Sequence, residues 1–215
     1  QFGDLAYAIA VGGCCLTIVY CGLEQTLVRD LVQFSNRFNE YVSASILLRG
    51  GLLIAALVTI SCLNGLAWDE DRLKIAGMVI VLTEGIKGLY LTAIYDAWIW
   101  TRRHAFFLLI ERCIYFACVW GLLLFCRDRL SISAISVSMV ISTTVGIVMQ
   151  YHWALPRLEL RFDLNALYLG LRMLKNNLWV WSAILATLCF GALSKIVLKH
   201  VSGSGQLGGY AAVWQ

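Results

Sequence analysis

Six runs of about twenty predominantly apolar residues, near 5–23, 42–63, 73–99, 104–126, 131–153 and 178–198, leave this chain few ways to fold. At about 1.5 Å of rise per residue, each is long enough to cross the roughly 30 Å hydrocarbon core of a bilayer as a helix. Runs such as GGLLIAALVTI (50–60) and YFACVWGLLLF (115–125) are continuously apolar. Membrane β-barrel strands alternate instead and span only about ten residues. The expected fold class is therefore an all-α integral membrane bundle of six transmembrane helices, with a seventh beginning near Leu207. With 60% hydrophobic and 14% charged residues, against about 25% charged in soluble domains, little chain is left for an extramembrane domain.

Two longer amphipathic stretches separate the spans, VRDLVQFSNRFNEY (28–41) and LPRLELRFDLNALYLGLRMLKN (155–176). With the 99–104 loop they lie on one side of the membrane and carry Arg29, Arg37, Arg102, Arg103, Arg157, Arg161, Arg172 and Lys175. The other side carries Arg72, Lys74, Arg127, Arg129 and Lys199. Cytoplasmic loops are enriched in Lys and Arg, so the first span runs from outside to inside. The eight cysteines form no C-x-x-C pair and are expected to be inert, buried thiols. No basic segment precedes the first apolar run, as a signal peptide would require.

Ionisable residues inside the spans should mark function. A Lys, Arg or Asp at a helix centre costs about 2.5–3.5 kcal/mol to insert and must face protein or water. Arg49 lies in the second span, Glu84 and Lys87 in the third, Glu111 and Arg112 in the fourth, and Lys195 near the end of the sixth. At 100° per residue, Glu84, Lys87, Tyr95 and Trp98 fall within an arc of about 80°, a polar and aromatic stripe suited to sugar rings. Glu84 and Lys87, three apart, also suit a structural ion pair. Glu111 and Arg112 point about 100° apart, so each needs a partner elsewhere. The cations Arg49, Lys87, Arg112 and Lys195 are candidates for holding an anionic cargo, with Tyr95 and Trp98 beside them; Glu84 and Glu111 are candidates for ion coupling. Snorkelling or structural roles compete for each cation, most strongly for Arg49 and Lys195. Ser136, Thr143 and Gln150 recur every seven residues on the fifth span and read as close helix packing. Glu24 reads as structural, by capping or by pairing with Arg29, and Asp96 as an interface partner of Arg102 and Arg103.

An enzyme acting on lipid-linked sugars is the rival class. WDEDR (68–72) would be its cation site, but acids before a helix are explained by capping and the helix dipole. His104, His152 and His200 are scattered, and no nucleophile motif or phosphate-cradling glycine loop is present. The protein is not expected to be an enzyme, and neither a cofactor, a metal nor a nucleic acid is expected as a partner.

The chain also echoes itself: QFGDLAYA (1–8) aligns without a gap on QLGGYAAV (206–213), with Gln1, Gly3 and Ala6 matching Gln206, Gly208 and Ala211. Six spans lie between the copies, an even number, so both start in the same orientation, as in a parallel repeat of two six-helix halves. On this reading the sequence is part of a longer protein, with one helix upstream and about five downstream.

LSKIVLKHVSGSGQLGGYAAVWQ (193–215) resembles the start of the second half of polysaccharide flippases, the O-antigen and exopolysaccharide branch of the MATE-like transporter superfamily. Ser194, Lys195, Leu207, Gly208, Tyr210 and Ala211 carry the likeness, with Ser194 replacing the Asp often found there. FGDLAYAIAVGG (2–13) and GLEQTLVRDLVQ (22–33) look like that family's second helix and the turn after it. The resemblance implies helices two to six of an N-terminal lobe over 1–153, an amphipathic cytoplasmic linker over 154–177, and the first helix and start of the second helix of a C-terminal lobe over 178–215. It further implies alternating access in a bacterial inner membrane, a polyprenyl-pyrophosphate-linked oligosaccharide as cargo, and membrane lipid and polysaccharide-polymerase components as partners. A small-molecule or drug exporter of the same architecture is the alternative; its cavity should favour carboxylates over cations.

Overall fold

The computed structural model describes residues 2–64, 71–125 and 132–213. Among them the chain forms helices α1 (Phe2–Tyr20), α2 (Leu23–Gln33), α3 (Phe38–Asn64), α4 (Asp71–Lys87), α5 (Thr92–Ala97), α6 (Thr101–Phe125), α7 (Ile132–Ala154), α8 (Leu164–Asn176) and α9 (Leu178–Val213), with no strand. Among the described residues five segments are long and apolar enough to cross a membrane: Gly3–Tyr20, Ser35–Cys62, Ile75–Ala97, Thr101–Leu124 and Ile132–Arg157. A sixth follows if Leu178–Thr187 and Gly191–Gly203, inclined at 42°, form one bent span. The protein is an all-helical, multi-pass membrane protein.

Two boundaries differ from the apolar pattern. The first span stops at Tyr20 because Cys21 (φ 48°) and Gly22 (φ 65°) both turn left-handed, after which α2 leaves in a new direction. Gly22 also has no room for a side chain, since a Cβ would lie 3.2 Å from the Trp181 amide nitrogen. The third span, expected as one helix over 73–99, is two helices separated at 88–91. At the far end, the serine- and glycine-rich segment after residue 201 remains largely helical, and only Gly203 (φ 80°, ψ 172°) departs from helical angles. The acidic residues Asp69 and Glu70 of WDEDR lie outside the described residues, as do Arg127 and Arg129.

α1 and α4 run parallel and in close approach. Cβ atoms built on Gly12 and Gly85 would meet Glu84 Cβ at 2.9 Å and Cys15 Sγ at 2.8 Å, and one on Gly88 would strike Val19. Without a hydrophobic drive between helices in lipid, such small-residue seams let backbones pack. α4 and α6 pack on α7, while α9 packs along α1, where Leu207 and Ala211 are buried against Ala6, Ala8, Ala76 and Ile80. Lys199 of α9 reaches Asp4 of α1 at 3.2 Å.

One end of the bundle is built by the two amphipathic stretches. The 28–41 stretch becomes the end of α2, a 3-10 turn (Ser35–Arg37) and the start of α3. In the other, the Asp163 carboxylate caps α8 by accepting from the Ala166 amide at 2.7 Å. α8 lies on α3, with Gly170 against the Ala44 carbonyl, and the Arg161 amide donates to Ser43 Oγ at 3.0 Å. Its other face leaves Leu164, Tyr168 and Leu171 exposed, as suits a helix lying in the membrane interface. α6 sits at the bundle edge with Phe106, Leu109, Phe116, Trp120 and Leu124 outward. Not all thiols are interior: Cys15 and Cys21 are buried, but Cys62 and Cys113 are exposed on the bundle surface.

A candidate intramembrane site at a broken helix

The site starts from the break in the third span. Past Gly85 the α4 hydrogen bonds tighten to the three-residue pattern, Gly88 to Gly85 (3.0 Å), Leu89 to Ile86 (2.9 Å) and Tyr90 to Lys87 (3.0 Å), and the helix then ends. Backbone polar groups freed inside a membrane must find partners within the protein. Gln150 of α7 accepts from the Leu91 amide at 3.0 Å, and the Tyr151 hydroxyl donates to the Leu89 carbonyl at 3.1 Å. Arg49 of α3 donates from Nη1 to the Tyr90 carbonyl at 3.2 Å and approaches the Gly88 carbonyl at 3.4 Å. The Tyr95 hydroxyl donates to the Gln150 carbonyl at 2.8 Å, locking α5 to α7.

Arg49 is only 3% exposed, and its guanidinium carbon lies 5.8 Å from the Tyr20 ring centre. Its Nε and Nη2 have no hydrogen-bond partner among the described residues. Glu24, at the start of α2, is the nearby acid: burial pushes its carboxyl above the usual carboxylate range, against smaller lowering effects from Arg49 and from a hydrogen bond with Thr92. Arg29, the expected partner of Glu24, pairs with Asp30 at 2.9 Å instead. Asp96 makes no ion pair with Arg102 or Arg103 among the described residues.

Directly beyond the break, α1, α4, α6 and α7 enclose a cavity of about 200 Å³. Glu84, Lys87, Glu111, Arg112, Tyr115, Ser142 and Thr143 supply its polar lining, and Leu5, Ile9, Ile135 and Met139 its apolar lining. Lys87 Nζ donates to Glu84 Oε1 at 2.5 Å, so this pair neutralises itself. Glu111 is 3% exposed and accepts from the Tyr90 hydroxyl at 2.7 Å. The Glu111 carboxylate fits because Gly146 of α7 faces it, where a Cβ would come 3.0 Å from Oε2. Arg112 is exposed, so the cavity opens at the bundle surface, and among the described residues it has no ion-pair partner.

The structure thus brings four of the eight candidates, Glu84, Lys87, Glu111 and Arg112, into one cavity. Arg49 stands behind it, holding the break rather than lining the opening. The stripe joining Glu84 and Lys87 to Tyr95 and Trp98 is not formed, because the break ends the helical phase that would align them. Tyr95 is fully buried between His104 and Phe107, and Trp98 stacks on Phe38 at 5.4 Å. Lys195 lies on α9 and does not line the cavity. Tyr90, Thr143 and Gln150 belong to the site without having been expected there; an intramembrane Gln on a seven-residue repeat was the available signal. Among the described residues no group of three or more His, Cys, Asp or Glu side chains is placed to hold a metal ion.

No protein-family model, no curated protein and no solved structure matches the chain.

Proposed function

We propose that this chain is part of a two-lobe membrane transporter of the polysaccharide flippase type, which moves a polyprenyl-pyrophosphate-linked oligosaccharide from the inner to the outer leaflet of a bacterial inner membrane. The observation that supports this reading is the charged cavity beside a discontinuous helix, with Arg112 at its mouth. Transporters bind cargo at such broken helices, where backbone and side-chain dipoles converge at mid-membrane. An unpaired guanidinium offers a phosphate bidentate, charge-assisted hydrogen bonds. Lys87, held by Glu84, contributes less than its charge suggests, so the anion preference rests mainly on Arg112. In this account the lobes rock about the cavity while the polyprenyl tail stays in lipid.

A second reading, a small-molecule exporter, is favoured by one feature: Glu84 and Glu111 match the cavity's two cations in number. Depletion of the full-length protein in cells separates the two. The flippase reading predicts lipid-linked glycan accumulating at the inner leaflet and loss of surface glycan. Normal surface glycan with raised drug sensitivity would overturn it in favour of the exporter.

A further inference from the structure

Away from the cavity, the start of α6 and the end of α7 meet at the same end of the bundle, the cytoplasmic end by the positive-inside rule. There Trp100 and Trp153 pack edge to face, 5.5 Å between ring centres and 88° between planes. Two guanidinium groups lie over this pair. The Arg103 carbon lies 4.0 Å from the Trp153 ring centre and 4.9 Å from that of Trp100. The Arg157 carbon lies 3.9 Å and 5.4 Å from the same two centres. Arg157 is further fixed by donating from Nη1 to the Trp153 carbonyl at 2.7 Å. Both groups being so near one ring, their carbons are within about 8 Å of each other, the sum of the two distances.

Two like charges held this close call for an anion. Among the described residues neither has an acid within ion-pair distance. Three other arginines of this end do, Arg29 with Asp30 at 2.9 Å, Arg37 with Glu40 at 2.6 Å and Arg161 with Glu159 at 4.0 Å, and the remaining Arg102 and Arg172 are not set on the tryptophan pair. A guanidinium carries five N–H donors, so one held over a ring keeps donors for an anion even where, as in Arg157, one is already used. A single phosphate can bridge such a pair, because each charge-assisted N–H···O contact is about 2.8 Å long.

We infer that Arg103 and Arg157, set on the Trp100–Trp153 pair, form a binding site for the phosphate headgroup of an anionic phospholipid of the inner leaflet. The location selects a lipid over a free anion. Tryptophan settles at headgroup depth, and basic pockets between transmembrane helices on the cytoplasmic side take anionic headgroups. Ile99, next to Trp100, is 86% exposed, and Leu155, between Trp153 and Arg157, is also exposed, giving the acyl chains apolar surface beside the phosphate. This inference needs the membrane assignment and the orientation from the positive-inside rule, and stands apart from the identity of the cargo.

The test is lipid binding to the full-length protein, purified in detergent and titrated with phosphatidylglycerol or phosphatidylcholine, with bound lipid counted by native mass spectrometry. The wild type should prefer phosphatidylglycerol by about tenfold or more, and the Arg103→Gln/Arg157→Gln double variant should lose that preference to within about twofold. Arg37→Gln, at an arginine already paired with Glu40, should keep it. Equal binding of the two lipids by the wild type would overturn the inference whether or not the double variant folds. So would displacement of bound phosphatidylglycerol by millimolar inorganic phosphate, which would mark a free-anion site, or an unchanged preference in a folded double variant.

Discussion

The Tyr90 hydroxyl donates a 2.7 Å hydrogen bond to Glu111 Oε2, and Tyr90 itself sits in the segment where the third span is unwound. One interaction therefore ties the backbone break to the charged cavity. The carbonyl of the same residue accepts from Arg49, so three membrane segments, α3, the α4–α5 pair and α6, meet at Tyr90.

Replacing Tyr90 by Phe should leave the Glu111 carboxylate short of a donor where it is almost fully buried. A hydrogen bond to a charged group is worth about 1.5–3 kcal/mol, so the variant should lose stability on that scale in detergent unfolding. Tyr168→Phe, at an exposed tyrosine of α8, should fall within about 0.5 kcal/mol of wild type.

Gly88→Ala should destabilise by about 1–3 kcal/mol, because the new methyl group would overlap Val19 and the seam between α1 and α4 cannot open without separating two backbones. Gly121→Ala provides the contrast. A Cβ there meets nothing within 4 Å, and the helix should gain up to about 1 kcal/mol from the lower backbone entropy of the unfolded state. Thermal midpoints of the two variants, measured side by side, check the prediction.

The first five spans were legible because a membrane span is a property of one segment's length and hydropathy, while the sixth run, 178–198, is met by a pair of helices bent at 42°. The Glu84–Lys87 pair was equally legible, being set by spacing within one helix. The break at 88–91 was not, since its partners Arg49, Gln150 and Tyr151 come from two other helices, and Gly85 and Gly88 are the only local hints. The stripe through Tyr95 and Trp98 failed for the same reason, because a 100° periodicity holds only while the helix continues. Gln150 was read as packing on the strength of its heptad with Ser136 and Thr143. It is indeed fully buried there, but its side chain also serves the backbone of a neighbouring segment.

Glu24 should make stability depend on pH in a definite direction. Burial raises its folded-state carboxyl above the unfolded value, so the protonated form is favoured in the folded protein. The contribution is fully present below the unfolded carboxylate range, near pH 4.3, and is lost as the pH rises through the folded pKa. Glu24→Gln should therefore melt at a higher temperature than wild type at pH 8, and the gap should narrow at pH 5. A variant less stable than wild type at pH 8 would mean that Arg49 and Thr92 outweigh burial.

The central claim is that Arg112 receives the anionic end of a lipid-linked cargo, and reconstituted transport tests it most directly. Full-length protein in proteoliposomes, supplied with polyprenyl-pyrophosphate-linked oligosaccharide, should translocate it across the bilayer. Arg112→Gln should insert normally yet slow that translocation about tenfold or more, the equivalent of losing one charge-assisted contact. Translocation by Arg112→Gln at the wild-type rate would contradict the account.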